Sequence, residues 1–190
     1  AKEILERKGI RVYVSVISWD RVRADERSIV KVMLDMAPGT GMLLAVGSGV
    51  VHDIVRFVAF KMGLPFISIP TAPSVDGFNS YVSSLTIDGM KLTVPSACPA
   101  AVLADPAVIA SAPYRMIAAG VGDLIGKYTS LADWKLSHLL NDEHYCVFTA
   151  DIVKEGLHRC IENLEGISRL EENSIAALLE GLVLSAMAME

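Results

Sequence analysis

The sequence predicts an α/β unit followed by an all-helical one. Three observations carry this. Through residue 69, short β-branched or continuously apolar runs alternate with segments whose apolar residues recur at helical spacing. Asp88-Gly89 lies between two further strand-like runs, 81–86 and 91–94, as a tight hairpin requires. Beyond residue 104 only helical periodicity remains. The 190 residues are 52% hydrophobic and 21% charged, with mean hydropathy +0.44. That balance excludes disorder over most of the chain and leaves enough apolar surface for a large core.

The elements follow in order. Residues 2–8 read as a helix end stopped by Gly9. Residues 10–16 alternate and are β-branched, which predicts a strand. Apolar Ile29, Val30, Val32, Met33 and Met36 place a helix over 25–36, ended by Pro38-Gly39. The continuous apolar run 42–46 predicts a strand buried on both faces. Gly47-Ser48-Gly49 turns the chain into a helix over 50–62 that Gly63 closes. A second buried strand follows at 66–69, and a short run at 102–104 ends at Asp105-Pro106. Helices are predicted over 106–111, 114–140, 144–164 and 172–190. The boundary falls near Pro113 and divides the chain into 1–112 and 113–190.

Several classes are excluded or disfavoured. A net charge of −5 argues against nucleic acid as a partner. The most apolar stretch, 175–189, is short and carries Glu180, so no membrane span is expected. Three cysteines, Cys98, Cys146 and Cys160, form no CxxC pair. With no signal-peptide pattern at the start, they read as reduced thiols of a cytoplasmic protein. The first residue is Ala1, and the last helical segment stops without a cap or polar tail. Both ends read as cut. So apolar a chain is expected to bury surface against a second copy, as a homo-oligomer.

Three places carry chemistry. The first is the turn Gly47-Ser48-Gly49 with Val50, Val51, His52 and Asp53 behind it. Glycines let a ligand approach the backbone, and the helix start points free N–H groups at it, as a pyrophosphate requires. An ordinary βα turn fits equally, with Asp53 favourable near the helix dipole and His52 solvated. The second is the loop 68–80, rich in hydroxyls (Thr71, Ser74, Ser80) and carrying Asp76. It lies at the same carboxyl edge of the sheet, where ligands gather in open α/β folds. A long Pro- and Ser-rich connection is the plain alternative. The third is Asp123, which shares the apolar stretch 116–132 only with the charge of Lys127. Met116, Gly120, Asp123, Lys127, Ser130 and Trp134 form one stripe. A carboxylate buried there needs a cation: Lys127 at i+4, or a divalent metal. His52, His138, His144 and His158 show no HxxxH or HExxH spacing, so a complete three-ligand site is not visible.

Taken in chain order, Gly47-Ser48-Gly49-Val50-Val51-His52-Asp53, then 68–77, Ile87 to Lys91, Leu103-Ala104-Asp105-Pro106, and 119–134 with Asp123 and Lys127 resemble the iron-containing alcohol dehydrogenase and dehydroquinate synthase superfamily. The resemblance implies a Rossmann-like domain, incomplete at its start, and a helical domain, incomplete at its end, with the active site in the cleft between them. It implies NAD or NADP on Gly49, Val50, Val51, His52 and Asp53, with Thr71, Ala72, Pro73, Ser74 and Ser80 on the ribose and nicotinamide side. It implies Asp76 and Asp123 as the catalytic, substrate-contacting residues. Asp123 would also ligate a divalent metal, zinc first and nickel or iron as alternatives, acting as a Lewis acid. The implied reaction is hydride exchange between NAD(P)H and a phosphorylated triose, dihydroxyacetone phosphate, giving sn-glycerol 1-phosphate. A glycerol dehydrogenase, a sugar-phosphate cyclase and a folded fragment without metal are the rivals. Two departures stand out. Ser48 and Val50 replace the second Gly and the Lys of the frequent Gly-Gly-Gly-Lys turn. The family's two histidine ligands fall beyond Glu190, so this chain alone is expected to be inactive and to bind metal weakly.

Overall fold

The computed structural model describes residues 2–188. In chain order it contains α1 (Lys2–Arg7), α2 (Glu26–Asp35), β1 (Leu43–Gly47), α3 (Gly49–Met62) and β2 (Phe66–Pro70). A 3₁₀ turn over Gly77–Asn79 precedes β3 (Val82–Ile87), β4 (Met90–Pro95) and β5 (Ala101–Val102). Then come α4 (Pro106–Ala110), α5 (Tyr114–Ile125), α6 (Lys127–Asn141), α7 (Val147–Glu162), α8 (Leu164–Ser168) and α9 (Glu172–Ala188). The last two residues of the helix expected over 172–190 lie outside the described residues.

The strands β1, β2 and β5 form a parallel sheet in that order, with Leu43 opposite Phe66 and Gly47 opposite Pro70. The β1–α3–β2 crossover is what parallel pairing requires. Asp25 caps α2 by accepting the Ser28 N–H, and Gly63 ends α3 in the left-handed conformation (φ 63°) that glycine adopts without strain. The β3–β4 hairpin turns at Asp88-Gly89, both at positive φ, as a primed turn demands. It packs on α3, and Thr86 N donates to Ala24 O at 2.7 Å.

The structure departs from the sequence expectations in four places. Residues 10–16 form no strand, and Ile10, Tyr13, Val14 and Val16 are exposed. Alternation selects a face, but a strand exists only in a ladder, and no described strand pairs with this segment; Ser15 instead donates to Asp35 of α2. Strand β1 is an edge strand, so Val46 is 52% exposed rather than buried on both faces. The expected helix 114–140 breaks at Gly126 into α5 and α6, and 144–164 starts only at Val147 and breaks at Asn163. The stretch 116–132 is not buried all round either. One face of α5, with Ile117, Gly120 and Leu124, is covered, while α6 has no fully buried residue. Apolarity set how much of this stretch favours burial; the neighbours present set how much is covered.

Two cores result. Ile54, Val58, Ile29, Val32 and Leu85 knit α2, α3 and the hairpin together. Ile117, Leu124, Leu178 and Leu182 lead the helical core. Phe78 belongs to that second core although it comes from the loop after β2. It also stands edge-on to His52 of α3, with centroids 5.0 Å apart. Glycines permit the closest approaches. A Cβ on Gly181 of α9 would lie 2.8 Å from the Gly156 carbonyl oxygen of α7, and one on Gly120 of α5 would collide with the Pro73 carbonyl oxygen. No described helix is long and apolar enough to cross a membrane.

Gly120→Ala is therefore expected to lower stability by about 1–3 kcal/mol through overpacking against backbone. Denaturant unfolding of the protein should show a lower midpoint with an unchanged slope; an unchanged midpoint would contradict the contact.

Candidate active site

The carboxyl edge of the parallel sheet brings two of the three sequence-marked places together. Strand β1 delivers Gly47 into the turn, and β2 delivers Pro70 into the loop beside it; Thr71 N donates to Gly47 O at 2.9 Å. A Cβ on Gly49 would lie 2.7 Å from a Val75 methyl, so the turn and the loop lie against each other. Ser48 stands at the N-cap of α3 but makes no side-chain capping bond. The first-turn N–H groups are thus not occupied by a capping hydroxyl, which suits an anion at this helix start. Beside it opens a cleft of about 620 Å³ lined by Val46, Ile69, Thr71, Leu103, Asp105 and Val108. The residues present fit a dinucleotide in kind: an uncapped helix start, small turn residues and an open apolar cleft.

The first turn of α3 holds a finding that the sequence did not suggest. His52 is 1% exposed, not solvated. Its Nδ1 pairs with Ser48 O at 2.9 Å, and its Nε2 is buried without a hydrogen-bond partner. Burial pushes the ring down to about 4, against the carbonyl that favours its charge. Asp53 accepts the Ser84 N–H and an Arg56 Nη1–H, both at 3.3 Å. It ties α3 to the hairpin instead of standing in the turn. Burial pushes its carboxyl up to about 6, more than the Arg56 charge pulls it down. Arg56, 1% exposed, donates to the carbonyls of Val82 (2.7 Å) and Gly77. It clamps the 77–82 segment to α3. Its burial in an otherwise helical pattern leaves no signal in the sequence.

The third place joins the second through Asp76. The Asp76 N–H donates to Asp123 Oδ2 at 2.8 Å. Lys127 Nζ, one turn along on α6, lies 2.6 Å from Asp76 Oδ2. Ser185 Oγ of α9 donates to the same oxygen at 3.0 Å. The cation that Asp123 was expected to share at i+4 thus bridges to the loop carboxylate, a partner that helical spacing alone does not reveal. Desolvation first, and the neighbouring Asp76 charge second, push the Asp123 carboxyl above the ordinary carboxylate value. Asp123 remains partly exposed. Among the described residues, however, no three His, Cys, Asp or Glu side chains cluster to hold a metal. The ligands present do not complete a metal site.

The remaining marked residues divide. Thr71 lines the cleft. Ala72 and Pro73 are buried beneath it, and Ser74 is half-buried. Ser80 is buried and accepts the Val82 N–H at 3.1 Å, a local turn bond. Gly49, Val50 and Val51 are half-buried in the turn and first turn of α3. Sequence reading missed Arg56, Ser185 and Val108; it marked the run 102–104 and Leu103 but gave them no place at the cleft that follows β5.

A family model described as iron-containing alcohol dehydrogenase matches residues 1–113. The chain belongs to this family. Among relatives, the protein named glycerol-1-phosphate dehydrogenase [NAD(P)+] of Geobacillus stearothermophilus is 45% identical over 188 residues, covering 97% of this chain and 46% of that protein. The protein of the same name from Bacillus subtilis (strain 168) is 48% identical over 168 residues, covering 88% and 43%. The chain thus spans about half the length of the relatives it matches. An iron-containing alcohol dehydrogenase structure superposes with TM-score 0.77 at 17% identity, over 99% of this chain and 55% of that one. Glycerol dehydrogenase from Schizosaccharomyces pombe superposes with TM-score 0.65 at 22% identity, over 84% and 45%. The shared fold includes the α/β part described above.

The two shifted groups on α3 oppose one another. The folded state holds His52 neutral, so its contribution is full above 6.5 and falls as pH drops towards about 4. It holds the Asp53 proton more tightly than the unfolded chain does, so that contribution is full below 3.8 and falls as pH rises towards about 6. Asp53→Asn leaves only the histidine slope. Its melting temperature should climb more steeply between pH 4 and 6 than that of the unsubstituted protein; parallel curves would contradict the assignment.

Proposed function

We propose that the protein carrying this chain is an NAD(P)-dependent, metal-dependent oxidoreductase that interconverts dihydroxyacetone phosphate and sn-glycerol 1-phosphate. The observation that carries the reading is the 2.8 Å bond from Asp76 N to Asp123 Oδ2. It brings Asp76 and Asp123 together near the turn at the start of α3, which supports reading the one as a substrate contact and the other as a metal ligand. Two relatives at 45% and 48% identity, named for this activity, support it.

In this reading residues 1–112 form the Rossmann-like cofactor domain and 113–190 the helical domain, with the site between them. The first turn of α3 (Gly49, Val50, Val51) holds the pyrophosphate, and His52 and Asp53 brace that turn from within. Thr71, Ala72, Pro73, Ser74 and Ser80 shape the ribose and nicotinamide side. Bound NAD(P)H supplies the hydride and, with one proton, converts the ketone to the alcohol. Asp76 accepts a hydrogen bond from a substrate hydroxyl, and Lys127 offsets its charge. Asp123 is one oxygen ligand of a divalent metal, with zinc preferred over nickel or iron; the other ligands lie outside this chain. The protein works in the cytoplasm as a homo-oligomer.

The test uses the intact protein with NADH or NADPH, a divalent metal and either dihydroxyacetone phosphate or dihydroxyacetone. Cofactor absorbance should fall with the phosphorylated ketone. Turnover with the unphosphorylated ketone alone would make it a polyol dehydrogenase, and turnover with neither would overturn the reading. Asp123→Ala should lose activity and lower bound metal more than about 10-fold; unchanged metal content on elemental analysis would remove Asp123 from the ligand set.

A further inference from the structure

Ser185 sits in the last turn of α9, on a helix that also buries Leu178, Leu182 and Ala186, and its side chain is fully buried. A serine inside a helix commonly bonds back to its own preceding turn. This hydroxyl reaches a carboxylate 109 positions earlier in the chain, at 3.0 Å. The oxygen it meets, Asp76 Oδ2, is the one that Lys127 approaches to 2.6 Å. Lys127 and Ser185 come from different helices, so the two donors fix the direction of the carboxylate as well as its charge. The ammonium balances charge, whereas the hydroxyl adds direction only. Asn79, from the same loop, also donates to Val183 O of α9 at 3.5 Å. Helix α9 therefore holds the loop at two points, just before the 3₁₀ turn and at its last residue.

We propose that Ser185 is a positioning residue for ligand recognition: it acts through Asp76, aiming that carboxylate at a substrate hydroxyl. The inference rests on the reading of Asp76 as a substrate contact. Its consequence is confined to the substrate. The bond that Ser185 makes goes to Asp76 and not to the turn at the start of α3, so its effect is expected on the substrate rather than on the cofactor. An interaction that serves bound substrate and transition state alike changes affinity while leaving the chemical step nearly intact.

The experiment measures dihydroxyacetone phosphate binding by calorimetry on intact protein loaded with divalent metal and NAD+, a complex that cannot turn over. Ser185→Ala should weaken the ketone by about 5-fold, less than the loss of a direct hydrogen bond to a charged group, because the hydroxyl acts through Asp76. NAD+ affinity should stay unchanged, and kcat should move less than KM. In an Asp76→Asn background, the same substitution should add less than about 2-fold, because the two residues act as one unit. An unchanged dissociation constant in Ser185→Ala, a full additive loss on Asp76→Asn, or equal losses for ketone and NAD+ with a lower melting temperature would each overturn the proposal alone. Absence of ketone binding by the unsubstituted protein would instead overturn the substrate reading, and this proposal with it.

Discussion

The approach of α5 to the loop after β2 depends on one missing methyl group. Gly120 packs so closely against the Pro73 carbonyl that any side chain would collide with it. One turn further along α5 stands Asp123, and three residues beyond Pro73 stands Asp76. The contact between backbones therefore sets the distance between two carboxylates that belong to different parts of the fold. Without it, the Asp76 N–H could not reach Asp123, and Lys127 and Ser185 would have no shared carboxylate to meet.

Bringing two carboxylates together in a partly desolvated place is unfavourable unless cations or donors compensate them. The fold supplies a division of labour. Asp76 receives the ammonium and the buried hydroxyl, while Asp123 receives the Asp76 N–H and feels the charges of both Asp76 and Lys127. Burial first, and the neighbouring Asp76 charge second, hold the Asp123 carboxyl above its ordinary value. The same loop is braced from the other side by Arg56, whose guanidinium holds the carbonyls of Gly77 and Val82 to α3. Helix α3 and helix α9 thus grip opposite sides of one segment, and the candidate site lies where they do.

Much of this was legible in the residues. The βα turn, strands β1 and β2, the hairpin at Asp88-Gly89 and the helical second half all follow from local periodicity and turn chemistry. The Gly-rich turn and the hydroxyl-rich loop were placed at one sheet edge by the rule for open parallel sheets, and the structure has them touching. Residues 10–16 show the limit. Their alternation is genuine, yet pairing is a relation between two segments, and one segment's sequence cannot show its partner. The buried state of His52 shows it again: an imidazole in a first helical turn is solvated or enclosed according to what packs upon it, and Phe78 comes from 26 positions further on.

By itself, then, the sequence determined which segments are helices or strands, which turn suits an anion, and which carboxylate stands nearly alone in an apolar helix. These are local properties, decided by backbone sterics and spacing within a few residues. Tertiary structure decided who answers each charge. Lys127 turned to Asp76, Asp53 turned to the hairpin, and Ser185 crossed from α9 to complete the arrangement. Those choices depend on distances between segments far apart in the chain, set by close contacts such as Gly120 on Pro73, and no pattern along a single segment encodes them.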